Sequence, residues 1–197
     1  YQLHFSHTFN DALFFNSALH YTKGQGYFEE FRRDDDFSDY GLNDIQIGNE
    51  TINSTDLIRR RWLDNDFYGG TFDLNYTTDK LLATWGGAIN RYDGDHFGEI
   101  IWAEYASNSN IRDRWYESTS EKTDINSYLK LNYQLTEKLN VYGDLQLRQV
   151  AYSGLGNDND LRPIDFDENW TFFNPKFGAI YQFNRTTQAY ASFAVGN

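Results

Sequence analysis

Residues 126–134 read Asn-Ser-Tyr-Leu-Lys-Leu-Asn-Tyr-Gln. On an extended strand, side chains alternate between two faces with a period of two. Leu129, Leu131 and Tyr133 then fall on one face, and Asn126, Tyr128, Lys130, Asn132 and Gln134 on the other. The same split recurs along the chain in segments of roughly membrane-crossing length. One face is aromatic and aliphatic, the other rich in amides and charges. A transmembrane β-barrel carries this pattern, apolar towards lipid and polar towards its interior.

The mean hydropathy of −0.72 argues only against helical spans, because no stretch approaches the roughly 18 apolar residues a spanning helix needs. A barrel's polar interior and loops keep its mean hydropathy low. Tyr 15, Phe 16 and Trp 5 in 197 residues, with only Pro 2, argue against a disordered chain. A net charge of −12 disfavours nucleic acid as a partner, since phosphates need a basic surface. The two basic runs, Arg32-Arg33 and Arg59-Arg60-Arg61, are ringed by Asp34, Asp35, Asp36, Asp64 and Asp66. The absence of Cys removes disulfides, thiolate metal sites and a thiol nucleophile. With no Met and no signal peptide, the chain is expected to be a fragment of a longer mature protein.

The alternation predicts about eight strands, at residues 1–9, 12–22, 66–77, 81–92, 124–135, 139–152, 170–183 and 188–197. Asn10-Asp11, Thr78-Asp79-Lys80, Thr136-Glu137-Lys138 and Asn184-Arg185-Thr186-Thr187 give short turns. Residues 23–56 and 153–169 are expected to be long connections. Residues 93–123 are mixed: Ile100-Ile101-Trp102-Ala103 can extend the outgoing strand and Trp115-Tyr116 the returning one, and pairing ahead of residue 66 can begin as early as Leu57. Sorting connections by length between the two ends is the habit of outer-membrane barrels, with short periplasmic turns and long extracellular loops. The predicted fold is therefore all-β, an antiparallel up-and-down barrel segment.

Several stretches carry a resemblance. Residues 18–31 read Ala-Leu-His-Tyr-Thr-Lys-Gly-Gln-Gly-Tyr-Phe-Glu-Glu-Phe, followed by an Asp-rich run and Tyr-Gly-Leu. Residues 93–102 read Asp-Gly-Asp-His-Phe-Gly-Glu-Ile-Ile-Trp, and 144–152 Asp-Leu-Gln-Leu-Arg-Gln-Val-Ala-Tyr. Asn174-Pro175-Lys176-Phe177-Gly178 is followed by Tyr190-Ala191-Ser192-Phe193-Ala194. Together these resemble the barrel of TonB-dependent outer-membrane receptors, over nearly the whole chain but only part of the family's barrel. The resemblance implies a receptor in the outer membrane of a Gram-negative cell, contacting outer-membrane lipid. Its parent would carry a plug domain and engage the TonB complex to import a scarce small-molecule or glycan ligand: a siderophore-like iron chelate, a corrinoid or a glycan. Residues 1–197 themselves read as a partial barrel domain without plug, signal peptide or TonB box.

The chemistry is sparse. No Gly-x-Ser-x-Gly, His-Glu-x-x-His or P-loop occurs, and no carboxylate pair is singled out, so no enzyme activity and no cofactor are expected. His4 and His7, three apart, face opposite sides of a strand, and His20 is expected to point inward. Asp93, Asp95 and His96 crowd one short stretch, and Asp158 and Asp160 another; these are the weak metal candidates, lacking the convergent spacing of a known site. Tyr76, Tyr133, Tyr181 and Phe183 lie beside short turns and suit an interfacial girdle. Tyr27, Phe28, Phe31, Tyr40, His96 and Trp102 are the candidate ligand contacts, since flat rings amid charge bind chelates and sugars by stacking.

Two alternatives stand beside this reading. A soluble all-β ligand- or carbohydrate-binding module would bury its apolar face in a core and favour Val, Ile and Leu. A passive outer-membrane porin would share the barrel without a plug.

Overall fold

The computed structural model describes residues 1–196; Asn197, the expected end of the last strand, lies outside the described residues. Ten strands follow in chain order: β1 (Gln2–Asn10), β2 (Leu13–Asp36), β3 (Ile45–Ile47), β4 (Glu50–Ile52), β5 (Ser54–Thr77), β6 (Leu81–Ala103), β7 (Arg114–Gln134), β8 (Leu139–Asn157), β9 (Pro163–Gln182) and β10 (Gln188–Ala194). Eight form one antiparallel meander in the order β1-β2-β5-β6-β7-β8-β9-β10, and β3 and β4 form a separate hairpin. Among the described residues β1 and β10 each pair on one side only, so the sheet is open.

The four connections at one end are short, and each is closed by one side chain. Asn10 Oδ1 accepts the amides of Ala12 and Leu13 at 2.9 and 3.0 Å. Thr78 Oγ1 accepts those of Lys80 and Leu81, and Thr136 Oγ1 those of Lys138 and Leu139. Asn184 Oδ1 accepts the amide of Thr186 at 2.9 Å. Asn and Thr take these positions because a short polar side chain can reach its own backbone two or three residues on.

Register fixes the two faces. Leu13, Tyr76, Ala83, Leu131, Gly143, Phe177 and Phe193 follow one another across seven strands, and so do Leu74, Trp85, Leu129, Leu145 and Pro175. This face is apolar and none of the described residues covers it: Leu19, Trp85, Ile89, Leu147 and Phe173 are each more than half exposed. Along β5 it runs from Tyr76, near the short turns, to Tyr68, the roughly 9–11 residues a tilted strand needs to cross a bilayer. Tyr76, Tyr133 and Tyr181 lie on this face near the short turns, with Phe183 packed edge-on against Tyr181 at 4.9 Å. A soluble module would cover such a surface with a second layer.

The other face is polar and internally bonded. Ser6, Asn16 and Asp73 are linked at 2.9 Å each, and Thr84 donates to Asn75 at 2.8 Å. His20, inward as expected, meets Asn90 at 2.9 Å, and Arg148 pairs with Asp124. Two glycines on this face make room for rings from neighbouring strands. A Cβ on Gly86 would meet the Tyr128 ring at 2.6 Å, and one on Gly178 would collide with Tyr142.

The strands are longer than the alternation predicts. Residues 23–56 were expected to be a connection, yet β2 and β5 have 24 residues each and pair without a break from Leu13↔Tyr76 to Arg32↔Leu57. β6 runs on to Ala103 and β7 begins at Arg114, which takes in the Ile100–Ala103 and Trp115-Tyr116 extensions that the sequence allows, while β8 reaches Asn157 and β9 begins at Pro163. Above the apolar band both faces carry charge, which erases the alternation. The ladder persists because opposite charges are direct cross-strand partners: Lys23↔Asp66, Glu29↔Arg60 and Glu30↔Arg59. The true connections at this end are residues 37–53, 104–113 and 158–162. The first holds a 3-10 turn, Phe37–Tyr40, and the β3–β4 hairpin, whose Ile-Gln-Ile and Glu-Thr-Ile runs are too short to show a period.

The buried apolar cluster lies at this long-connection end and not in the sheet's middle. Tyr40, Leu57, Ile100, Trp115 and Tyr116 pack together, flanked by Leu42, Ala103 and Leu161. The 3-10 turn is thereby held against the polar-face side of the strand ends.

Candidate functional site

Just below this cluster the polar face forms an open cavity of about 850 Å³. Its wall draws on β2, β5, β6, β7, β8 and β9. Neighbouring strands lie about 4.8 Å apart, so in a flat sheet β2 and β9 would be roughly 24 Å apart. One cavity touching both requires the sheet to curve with its polar face inward.

The lining follows from strand parity. Phe28 and Gly26 come from β2, Arg61 and Leu63 from β5, and His96 from β6. Tyr116, Ser118 and Ser120 come from alternate positions of β7, Tyr152 from β8 and Phe166 from β9, with Asp158 and Asn159 from the connection between them. Tyr152 and Phe166 pack at 4.8 Å, and the Arg61 guanidinium lies 5.6 Å from the Phe28 ring centre. Burial pushes the Tyr116 hydroxyl above its ordinary pKa, so it is a neutral donor.

The electrostatics around the cavity are uneven. Arg59, two residues from Arg61 on the same face, donates to Glu30 at 2.8 Å and to Tyr40 Oη at 3.0 Å. Its bond holds the Glu30 carboxyl below the usual carboxylate range. Asp35, buried beside the turn, accepts from Arg32 at 3.0 Å and from Tyr40 at 2.6 Å. Burial opposes its ionisation, but these bonds and the Arg32 and Arg59 charges outweigh it, and its carboxyl also lies low. Arg61 has no ion-pair partner among the described residues.

The sequence-derived candidates separate by face. Phe28 and His96 line the cavity. Tyr27 borders it, but its ring packs against Trp62 at 4.5 Å under Arg60, on the opposite face. Phe31 and Trp102 share that outward face near the strand tips and are about half exposed. Tyr40, expected on an open loop, is 3% exposed, because its ring fills the cluster against Trp115 and its hydroxyl is spent on Asp35.

The metal candidates do not converge. Asp93 and Asp95 project from the face opposite to His96 on the same strand, where Asp93 serves Arg91 and Tyr68. Asp158 accepts the amide of Asn159, and Asp160 pairs with Arg162. Among the described residues no group of three potential ligands comes together.

Arg61, Tyr116, Tyr152 and Phe166 are cavity residues that the sequence reading did not single out. The available signal was parity. Continuing the Tyr128, Asn126 and Asp124 face up β7 reaches Ser120, Ser118 and Tyr116 without a change of side.

A family model described as TonB dependent receptor-like, beta-barrel matches residues 1–197. The chain belongs to that family. The crystal structure of Fiu, the ferric-catecholate import receptor of E. coli K12 in its open form, is similar with a TM-score of 0.57 at 14% identity. The match covers 98% of this chain and 34% of that one, so the chain spans about a third of the length of that receptor. No curated protein matches the chain. In a transmembrane β-barrel an apolar outer band faces lipid and a polar face lines the interior.

Proposed function

We propose that this chain is a wall segment of an outer-membrane receptor that imports a scarce nutrient in a TonB-dependent manner, and that its cavity belongs to the extracellular mouth of that path. The observation that carries this is the pairing of an uncovered apolar band of bilayer-crossing length with a polar face that bears an open cavity at the long-connection end. Lipid covers the band, and the remaining strands and plug of the full-length receptor complete the lumen. Iron chelates, corrinoids and glycans are the nutrient classes, and the ferric-catecholate role of the similarly folded receptor supports the first. The chain's own part is to bind and guide, with no bond made or broken.

The test uses cells expressing the full-length protein with and without a functional TonB. Uptake of a radiolabelled iron chelate, corrinoid or oligosaccharide should require both, and the protein should fractionate with the outer membrane. Equal uptake without TonB would make it a passive pore, and a detergent-free soluble protein would refute the membrane assignment.

A further inference from the structure

The cavity wall also bears on the class of ligand, and this step rests on the receptor reading above. Three consecutive arginines, Arg59, Arg60 and Arg61, sit on β5. Arg59 is neutralised by Glu30 on one face and Arg60 by Glu29 on the other, both at 2.8 Å. Arg61 faces the cavity and has no carboxylate among the described residues, in a chain whose net charge is −12. With acidic side chains in excess, an inward guanidinium left without one is a vacancy for a negative group. The one carboxylate on the wall, Asp158, accepts the Asn159 amide at 2.7 Å and forms no ion pair with Arg61. Four rings, Phe28, Tyr116, Tyr152 and Phe166, share the same wall.

We propose that this cavity binds an anionic ligand bearing a flat ring, with Arg61 taking the negative charge and the four aromatic side chains packing against the ring. Guanidinium groups hold carboxylates and other planar oxyanions by paired hydrogen bonds, and aromatic walls hold rings by offset or edge contacts. The volume of about 850 Å³ falls within the ordinary range for small-molecule sites. A neutral sugar could bond Ser118, Ser120 and Asn159 but would desolvate Arg61 without compensation, a costly arrangement. The wall therefore selects against neutral glycans.

The experiment uses the full-length protein in nanodiscs, with empty nanodiscs subtracted. Four probes separate the two demands: salicylate (ring and charge), benzyl alcohol (ring alone), acetate (charge alone) and glucose. Salicylate should bind more tightly than the other three. Arg61→Gln should weaken salicylate at least tenfold and leave benzyl alcohol unchanged, while Arg61→Lys should restore part of the loss. Tyr152→Ala should weaken salicylate and benzyl alcohol together. Equal affinity for salicylate and benzyl alcohol, or a preference for glucose, overturns the proposal. So does a ligand-free Arg61→Gln protein with a markedly lower melting temperature, since Arg61 would then hold another segment of the chain. Either result leaves TonB-dependent uptake, the test of the receptor reading, to stand or fall separately.

Discussion

Leu129 and Leu145 face each other directly across β7 and β8, on the side of the sheet that no other described part of the chain covers. Their row lies between the tyrosines of the short-turn end and the Tyr21–Tyr68 row, close to the middle of the apolar band. Leu129→Arg should therefore cost about 2–4 kcal/mol in refolding into bilayers, the range for arginine at a barrel's midplane. Leu131→Arg, nearer Tyr133 and the short-turn end, should cost less. Gln146→Arg, on the opposite face beside Asn174, should be nearly neutral. Equal penalties at Leu129 and Gln146, measured by equilibrium unfolding from lipid, would contradict the assignment of faces.

Gly86 and Tyr128 make a second paired relationship, across β6 and β7 on the polar face. A Cβ at Gly86 would meet the Tyr128 ring at 2.6 Å and the Phe72 carbonyl oxygen at 2.9 Å. Gly86→Ala should destabilise by about 1–3 kcal/mol, the usual cost of overpacking. Tyr128→Ser should remove the ring clash, though not the backbone one. The double variant should therefore recover part of the loss, visible as a coupling energy in a double-mutant cycle. Strict additivity would show that the ring does not occupy the glycine's space.

The 3-10 turn packed on the buried cluster depends on ionised carboxylates. Asp35 and Glu30 both have folded-state pKa values below their ordinary ones, Asp35 against the opposing effect of burial and Glu30 through Arg59. A depressed folded pKa adds stability that is fully present above the unfolded values of about 3.9 and 4.3 and is lost as pH falls through the lower folded values. Amide exchange in residues 37–53, corrected for the intrinsic rate, should be constant from about pH 7 to 5. It should rise as the pH drops below about 4. Asp35→Asn should raise exchange at neutral pH and flatten this dependence. Protection unchanged well below the folded pKa values would show that apolar packing of Phe37 and Tyr40 alone holds the turn.

How much of this was legible in the sequence depended on which side of the apolar band a residue lies. Within the band, Leu74, Trp85, Leu129 and Leu145 alternate with Asp73, Thr84, Lys130 and Asp144, and both strand and face can be read directly. Above it the solvent wets both faces, so Lys23, Asp64 and Asp66 lie on the same side as Leu19 and the period disappears. There the strands are specified by pairing, as in Glu29↔Arg60 and Glu30↔Arg59, and pairing between segments about thirty residues apart leaves no local trace. The candidate site suffered for the same reason. Phe28 and His96 stand out by residue type, whereas Arg61 lies among acidic sequence neighbours that project elsewhere. Tyr40 was chosen as an aromatic in a loop, and only the long-range packing of Leu57, Ile100 and Trp115 shows that it is core.

The open edges give the last prediction. β1 bonds only to β2, and β10 only to β9, among the described residues. An antiparallel edge strand offers a row of unpaired N–H and C=O groups that another strand can join, and in a bilayer unpaired groups cost several kcal/mol each (about 4–8 in a fully apolar medium). The inward side chains near these edges, His20, Tyr142 and Lys176 among them, are bulky and mostly polar, and suit a wide wet interior more than a tight eight-stranded one. The isolated 197-residue chain in detergent should therefore associate, or pair β1 with β10. In the full-length receptor the outward amides of β1 and β10 should be as protected as those of β6 and β7, because neighbouring strands supply the missing partners. Amide exchange on both proteins, with the mass of the isolated chain measured alongside, decides this. An isolated chain that stays monomeric without detergent while both edge strands exchange freely would contradict the account of the sheet as part of a larger barrel wall.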